Sequence, residues 1–147
     1  MENIGRKHLP HEGLPVNPSH SEGEVYFITI CCLPRHTNQL ANAAAWQTIK
    51  ETLSVREANG DLNCRLALAM PDHFHGFFGF PSSKPMTRVI SDFKSWLAKQ
   101  SGIVWQRDFF DHRLRSWESA CEKANYIRMN PVRAGLVTHP QDWPYQR

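Results

Sequence analysis

The sequence predicts an α+β fold: an antiparallel sheet with two helices packed on one face, and a further helix beyond it. Three observations carry this. Four short segments are dense in β-branched and aromatic residues, the composition of strands. Two segments between them place apolar residues at i, i+3 and i+4, the period of a helix. Their order along the chain is β-α-β-β-α-β, followed by one more helical pattern.

Residues 1–23 carry three prolines, three glycines and three histidines without a period, and read as an extended arm before a single domain over 24–147. The spacing His8-x-x-His11 with His20 resembles ligand spacing, but no regular element would fix it. Glu24–Leu33 is a strand that stops at Pro34, and Asn42–Ala58 is a helix with Ala45, Trp46, Ile49 and Leu53 on one side, closed by Asn59-Gly60. Leu62–Met70 and Asp72–Phe80 are two strands broken at Pro71. Thr87–Gln100 repeats Val89, Ile90, Phe93, Trp96 and Leu97 at helical spacing and ends before Gly102. Ile103–Phe110 is the expected fourth strand. Ser116 caps a last helix that runs to about Met129 and closes at Asn130-Pro131, because a proline disfavours helical geometry in the residue before it. This is the ferredoxin-like, split β-α-β order.

Composition narrows the class. With 147 residues, 41% hydrophobic and 21% charged, the chain can bury a core. No apolar run approaches a membrane span and the N-terminus does not read as a secretory signal, so a cytoplasmic location without membrane contact is expected. Cys31, Cys32, Cys64 and Cys121 form no CxxC pair, and adjacent Cys31 and Cys32 read as buried thiols of a reducing compartment. Charge is uneven. The overall balance is +3, but residues 1–24 carry a net −2 and residues 84–133 a net +5. That basic stretch holds Lys94, Arg107, Arg113, Arg115, Lys123 and Arg133, interleaved with Trp105, Phe109 and Phe110. Bases among aromatics suit a polyanion whose unpaired bases can stack.

Two constellations carry chemistry. In Asp72-His73-Phe74-His75 the side chains alternate, so His73 and His75 share one face of the strand and Phe74 takes the other, with Phe78 and Phe80. Phe74, Phe78 and Phe80 suit a helix-covered core, which leaves two imidazoles on the open face, able to offer nitrogens to one divalent cation. On the last helix, Trp117, Ala120, Cys121, Ala124 and Ile127 project to one side at 100° per residue. Tyr126 projects roughly opposite, with Asn130 one turn further on the same face and Lys123 nearby. A metal held by the histidines would polarise a phosphate oxygen, and a nearby tyrosine hydroxyl could attack the phosphorus in line. A phenol ordinarily ionises only at about pH 10, so it needs the metal's field or a general base. No GxGxxG, P-loop, HExxH or Ser-His-Asp order competes with this reading.

The residues that carry these constellations also carry a resemblance. Met70-Pro71-Asp72-His73-Phe74-His75 resembles the His-hydrophobe-His motif of the HUH single-tyrosine transposases. Trp105–Ser116, Tyr126–Val137 and Asp142-Trp143-Pro144-Tyr145 resemble their REP-associated branch, Tyr126–Val137 most specifically. Tyr26–Thr29 and Asp92–Ser95 resemble the opening strand and second helix of that branch, so the likeness spans roughly residues 24–145. It implies an endonuclease and strand transferase for single-stranded, hairpin-forming DNA, using Mg²⁺ or Mn²⁺ and a 5′-phosphotyrosine intermediate. Carried over, Tyr126 is the nucleophile and His73, His75 and Asn130 hold the metal, in a monomer or homodimer. Gly76 and Gly79 depart from the bulkier aliphatics expected after the motif, which would loosen the strand or admit close approach of DNA. Two other readings stand beside this one: a non-catalytic single-stranded nucleic-acid-binding protein derived from a transposase, and a metal-dependent hydrolase of a small phosphodiester.

Overall fold

The computed structural model describes residues 24–147, so the expected arm over 1–23, with its histidines, lies outside the described residues. The elements are β1 (Val25–Cys31), α1 (Ala43–Ala58), β2 (Asn63–Ala69), β3 (His73–Gly79), α2 (Met86–Ser101), β4 (Phe110–Leu114), α3 (Trp117–Arg128) and a short α4 (Asn130–Arg133), then a 3₁₀ turn at Pro140–Asp142. The sheet runs β2-β3-β1-β4, with every neighbouring pair antiparallel. This is the ferredoxin-like arrangement that the element order predicts, with β3 inserted between β1 and β2.

Alternation divides the sheet into two faces. Ile28, Ile30, Ala67, Ala69, Phe74 and Phe78 point to the face covered by α1 and α2. They meet Trp46, Ile49 and Leu53 of α1, and Val89, Ile90, Phe93 and Leu97 of α2, all buried. Trp96, placed on the same stripe by spacing, sits at its flank and is 45% exposed. Asn42 caps α1 by accepting from the Ala45 amide at 2.9 Å, and Ser116 caps α3 through the Ser119 amide at 3.1 Å, as expected. Gly102, at φ 67°, ends α2 in the left-handed region that an L side chain avoids.

The second face is not open, which corrects the sequence expectation. Ala120, Cys121, Ala124 and Ile127 of α3 lie on it against Phe27, Leu66, Leu68 and Phe77, joined by Trp143 from the C-terminal segment. The Trp143 indole donates to the Ala69 carbonyl at 3.0 Å, and residues 145–147 hydrogen-bond along the outer edge of β2. That covers an edge that would otherwise present unpaired backbone groups.

The fourth strand also lies later than its apolar content suggested. Residues 103–109 form no ladder: Ile103 is buried against the α1–α2 layer, and Trp105 makes an isolated bridge to Cys32. The ladder partner of β1 is the polar segment Phe110–Leu114, exposed except at Leu114. An edge strand covered on neither face needs no apolar alternation, so its composition does not announce it. The helical path does not stop at Asn130-Pro131 either. It breaks for one residue at Met129 and resumes as α4, where Pro131 stands in the first turn and needs no amide partner.

All four cysteines are free thiols, three of them buried. Burial pushes the thiols of Cys32 and Cys64 up to about 12. Among the described residues, no helix is long and apolar enough to cross a membrane.

Candidate active site

The site lies on the second face, where β3 and β1 meet α3 and α4. Cross-strand pairing sets one row as Leu68, His75, Thr29 and Phe110, and the next places His73 opposite Cys31. Directly opposed residues share a face, so His73, His75, Thr29 and Phe110 all project the same way. The two imidazoles lie with centroids 4.8 Å apart and planes at 78°.

Each imidazole is held by its Nδ1. His73 Nδ1 lies 2.8 Å from Asp72 Oδ1, and His75 Nδ1 lies 3.0 Å from Thr29 Oγ1. Asp72 is itself fixed: its Oδ2 accepts from Arg35 Nε at 3.0 Å and from the His36 backbone amide at 2.9 Å. Burial opposes the charge on Asp72, yet the His36 amide, His73 and Arg35 together hold its carboxyl well below the usual range. A histidine oriented by a carboxylate on Nδ1 turns Nε2 outward as a lone-pair donor, the arrangement by which proteins present imidazole to metals. His75 is buried, and its Nε2 has no hydrogen-bond partner. Burial, with the neighbouring charges of His73 and Arg133, holds His75 well below its ordinary range, so the ring stays neutral and able to ligate.

Tyr126 is half-buried on α3, opposite the buried stripe of Ala120, Cys121, Ala124 and Ile127. The Arg133 guanidinium stacks on its ring, 3.9 Å from the centroid. One Arg133 nitrogen donates both to the Tyr126 carbonyl, at 2.7 Å, and to Asn130 Oδ1. Asn130 is buried, and its Nδ2 has no partner. Arg133 thus ties Tyr126 and Asn130 together, and its charge reaches His75. The structure brings His73, His75, Asn130, Tyr126 and Arg133 into one region. Among the described residues, no three His, Cys, Asp or Glu side chains are arranged to hold a metal. The side chain that Arg133 links to this region is an amide, Asn130.

The other basic and aromatic candidates are dispersed. Lys94 Nζ donates to the carbonyls of Gln106 and Arg107 at 2.8 and 2.9 Å, and Trp105 Nε1 donates back to the Lys94 carbonyl at 3.1 Å. These two clamp the segment after α2; burial lowers the Lys94 pKa. Arg113 pairs with Glu24 at 2.7 Å, and Lys123 Nζ lies 5.8 Å over the Phe27 ring. Arg107 and Arg115 are exposed. Of the aromatics in the basic stretch, Phe110, 42% exposed, shares the histidines' face. Gly76 points to the opposite layer, where a Cβ would meet the Phe78 ring at 2.6 Å. The glycine admits a buried phenyl ring rather than an approaching ligand.

Sequence reasoning passed over Thr29 and Arg35 as parts of the site, and Asp72 as a positioning group. Asp72 adjoins His73 and was open to that reading. Thr29 enters only through strand register, which no local pattern fixes.

No protein-family model matches the chain. It is 21% identical over 127 residues to the REP-associated tyrosine transposase of Escherichia coli K12, covering 84% of this chain and 76% of that one. A Haemophilus influenzae protein given the same name provisionally is 43% identical over 47 residues, 32% of this chain and 26% of its own length. The chain is similar to REP-associated tyrosine transposases. Solved folds agree. A REP-associated tyrosine transposase solved with a REP hairpin superposes with TM-score 0.75 at 19% identity, over 99% of this chain and 82% of that one. A transposase candidate from Deinococcus radiodurans matches with TM-score 0.54 at 16% identity, over 74% of this chain and 92% of its own. The resemblance of the motifs to this transposase branch thus extends to the fold.

Proposed function

We propose that the chain cleaves and rejoins single-stranded, hairpin-forming DNA through a 5′-phosphotyrosine on Tyr126, with Mg²⁺ or Mn²⁺ at His73, His75 and Asn130. The observation that carries this reading is the buried, unpartnered Nε2 of His75 beside His73, whose own Nδ1 is committed to Asp72. A neutral imidazole nitrogen buried without a partner is costly unless something binds it. The bound ion would supply Lewis-acid polarisation of a phosphate oxygen. Asp72 and Thr29 fix the two rings, so the donors are oriented before any ion arrives. Tyr126 Oη would form a bond to phosphorus as the bond to the 3′ oxygen breaks, leaving a free 3′ hydroxyl and a 5′ phosphate on the tyrosine. Phe110 offers an exposed ring on the same face for an unpaired base. The relatives' names and the solved complex with a REP hairpin support the substrate class.

The deciding experiment is Tyr126→Phe with labelled hairpin DNA. The ring and its Arg133 stack persist, so binding is expected to stay near wild type, while the cut strand and the covalent protein–DNA band on a denaturing gel disappear. A persistent adduct would move the nucleophile elsewhere, Tyr26 and Tyr145 being the other tyrosines. An absent adduct in the wild type, with binding intact, would favour the non-catalytic binding protein. Hairpin affinity should also exceed that for a matched duplex and fall as salt rises, through counterion release.

A further inference from the structure

Asn130 carries a contradiction that the catalytic reading does not absorb. As a ligand it would use its carbonyl oxygen, since an amide nitrogen has no lone pair to give. Yet in this structure Oδ1 accepts from Arg133, while Nδ2 is the buried atom without a partner. The donor end of the amide is enclosed and the acceptor end is occupied by a cation. Arg133 itself is exposed at the last position of α4, and is anchored there by the Tyr126 carbonyl and ring.

We infer that Arg133 is a positioning latch: it competes with the divalent cation for the Asn130 amide oxygen and holds the Tyr126 ring until that cation binds. The inference rests on the metal-site reading above. Guanidinium and a divalent ion repel, so one oxygen does not serve both at full strength. A cation that takes Oδ1 weakens the Arg133–Asn130 bond. The same guanidinium stacks on Tyr126, so its displacement also frees the ring. Arg133 therefore couples ligation at Asn130 to the freedom of Tyr126, with no contact of its own to the ion.

Mn²⁺ binding, measured by calorimetry on the full chain without DNA, tests this. Arg133→Met should tighten Mn²⁺ binding about tenfold, because a charge-assisted competitor is gone, and the gain should shrink as salt rises. Arg133→Lys should fall between the two, keeping the charge but not the planar fork. A residue that merely supported the fold would loosen the site when removed, not tighten it. Equal or weaker Mn²⁺ binding in Arg133→Met overturns the latch and leaves the metal site standing. Binding in neither chain, or binding that survives loss of both His73 and His75, overturns the metal site and the latch together. A second measurement needs no variant. Titrating the wild type with Mg²⁺ should shift the Arg133 Nε–H resonance, and a resonance that stays fixed while the His75 signals move overturns the latch.

Discussion

The two faces of the sheet are built from the same strands, residue by residue, yet are solved differently. Toward α1 and α2 the strands present Ile28, Ile30, Phe74 and Phe78, which pack against apolar side chains of both helices. Toward α3 they present Phe27 and Phe77, but also Thr29, His73 and His75, and Asn130 is buried at the start of α4. The first face satisfies itself by packing. The second buries polar atoms and leaves two of them, His75 Nε2 and Asn130 Nδ2, without partners. The strands thus bring apolar side chains to the first face and polar, chemistry-bearing ones to the second, which separates the side that packs from the side that can react.

The sharpest way to break the comparison is to cut into each face in turn. Phe93→Ala, in the α1–α2 layer, is expected to cost about 3–5 kcal/mol in urea unfolding, through lost transfer energy and a residual cavity. His73→Ala, on the second face and partly exposed, should stay within about 1 kcal/mol while abolishing cleavage. If both cost the same, the faces do not divide stability from function.

The glycines of β3 sharpen the comparison at a smaller scale. Gly76→Ala drives a Cβ into the buried Phe78 ring at 2.6 Å, and overpacking of that kind costs about 1–3 kcal/mol. Gly79→Ala, which meets its neighbours at 3.6 and 3.7 Å, should change stability by no more than about 0.5 kcal/mol. Urea midpoints of the two variants, compared directly, would show whether Gly76 is there for packing. A Gly76→Ala variant of full stability but impaired DNA binding would restore the reading that the glycine admits the nucleic acid.

Much of this was legible in the sequence. The order of elements, the buried stripes of α1 and α3, and the shared face of His73 and His75 follow from periods of 3.6 and 2 in unbroken runs. What escaped was set by partners distant in sequence. β4 is polar because neither of its faces is covered, so only its pairing with β1 reveals it. Lys94 and Trp105 have the composition of a nucleic-acid surface, yet each spends its polar atoms on backbone eleven to thirteen residues away. Thr29 becomes a site residue only once register sets it opposite His75.

The smallest expected effect concerns protons on the second face. His75 is held neutral by burial, and by the charges of His73 and Arg133, while in the unfolded chain it titrates at its ordinary 6.5. Above that pH both states are neutral and the folded state keeps its full margin. As pH falls below about 6.5 the unfolded chain takes up a proton that the folded one refuses, so stability declines. Asp72 follows the same sign in a lower window: its folded carboxyl is depressed, so its contribution begins to fade only near the ordinary carboxylate value of 3.8 and is lost on further acidification. The two are therefore separable. Between pH 7.5 and 5, His75→Gln, which cannot ionise, should lose less Tm than the wild type, while Asp72→Asn should lose as much as the wild type. Below pH 4 His75→Gln should in turn begin to lose Tm as the Asp72 contribution fades, a loss that the double variant His75→Gln, Asp72→Asn should not show. Parallel curves for His75→Gln and wild type above pH 5 would mean that the buried ring accepts its proton in place, and the incomplete packing of this face would then be wet enough to solvate a charge.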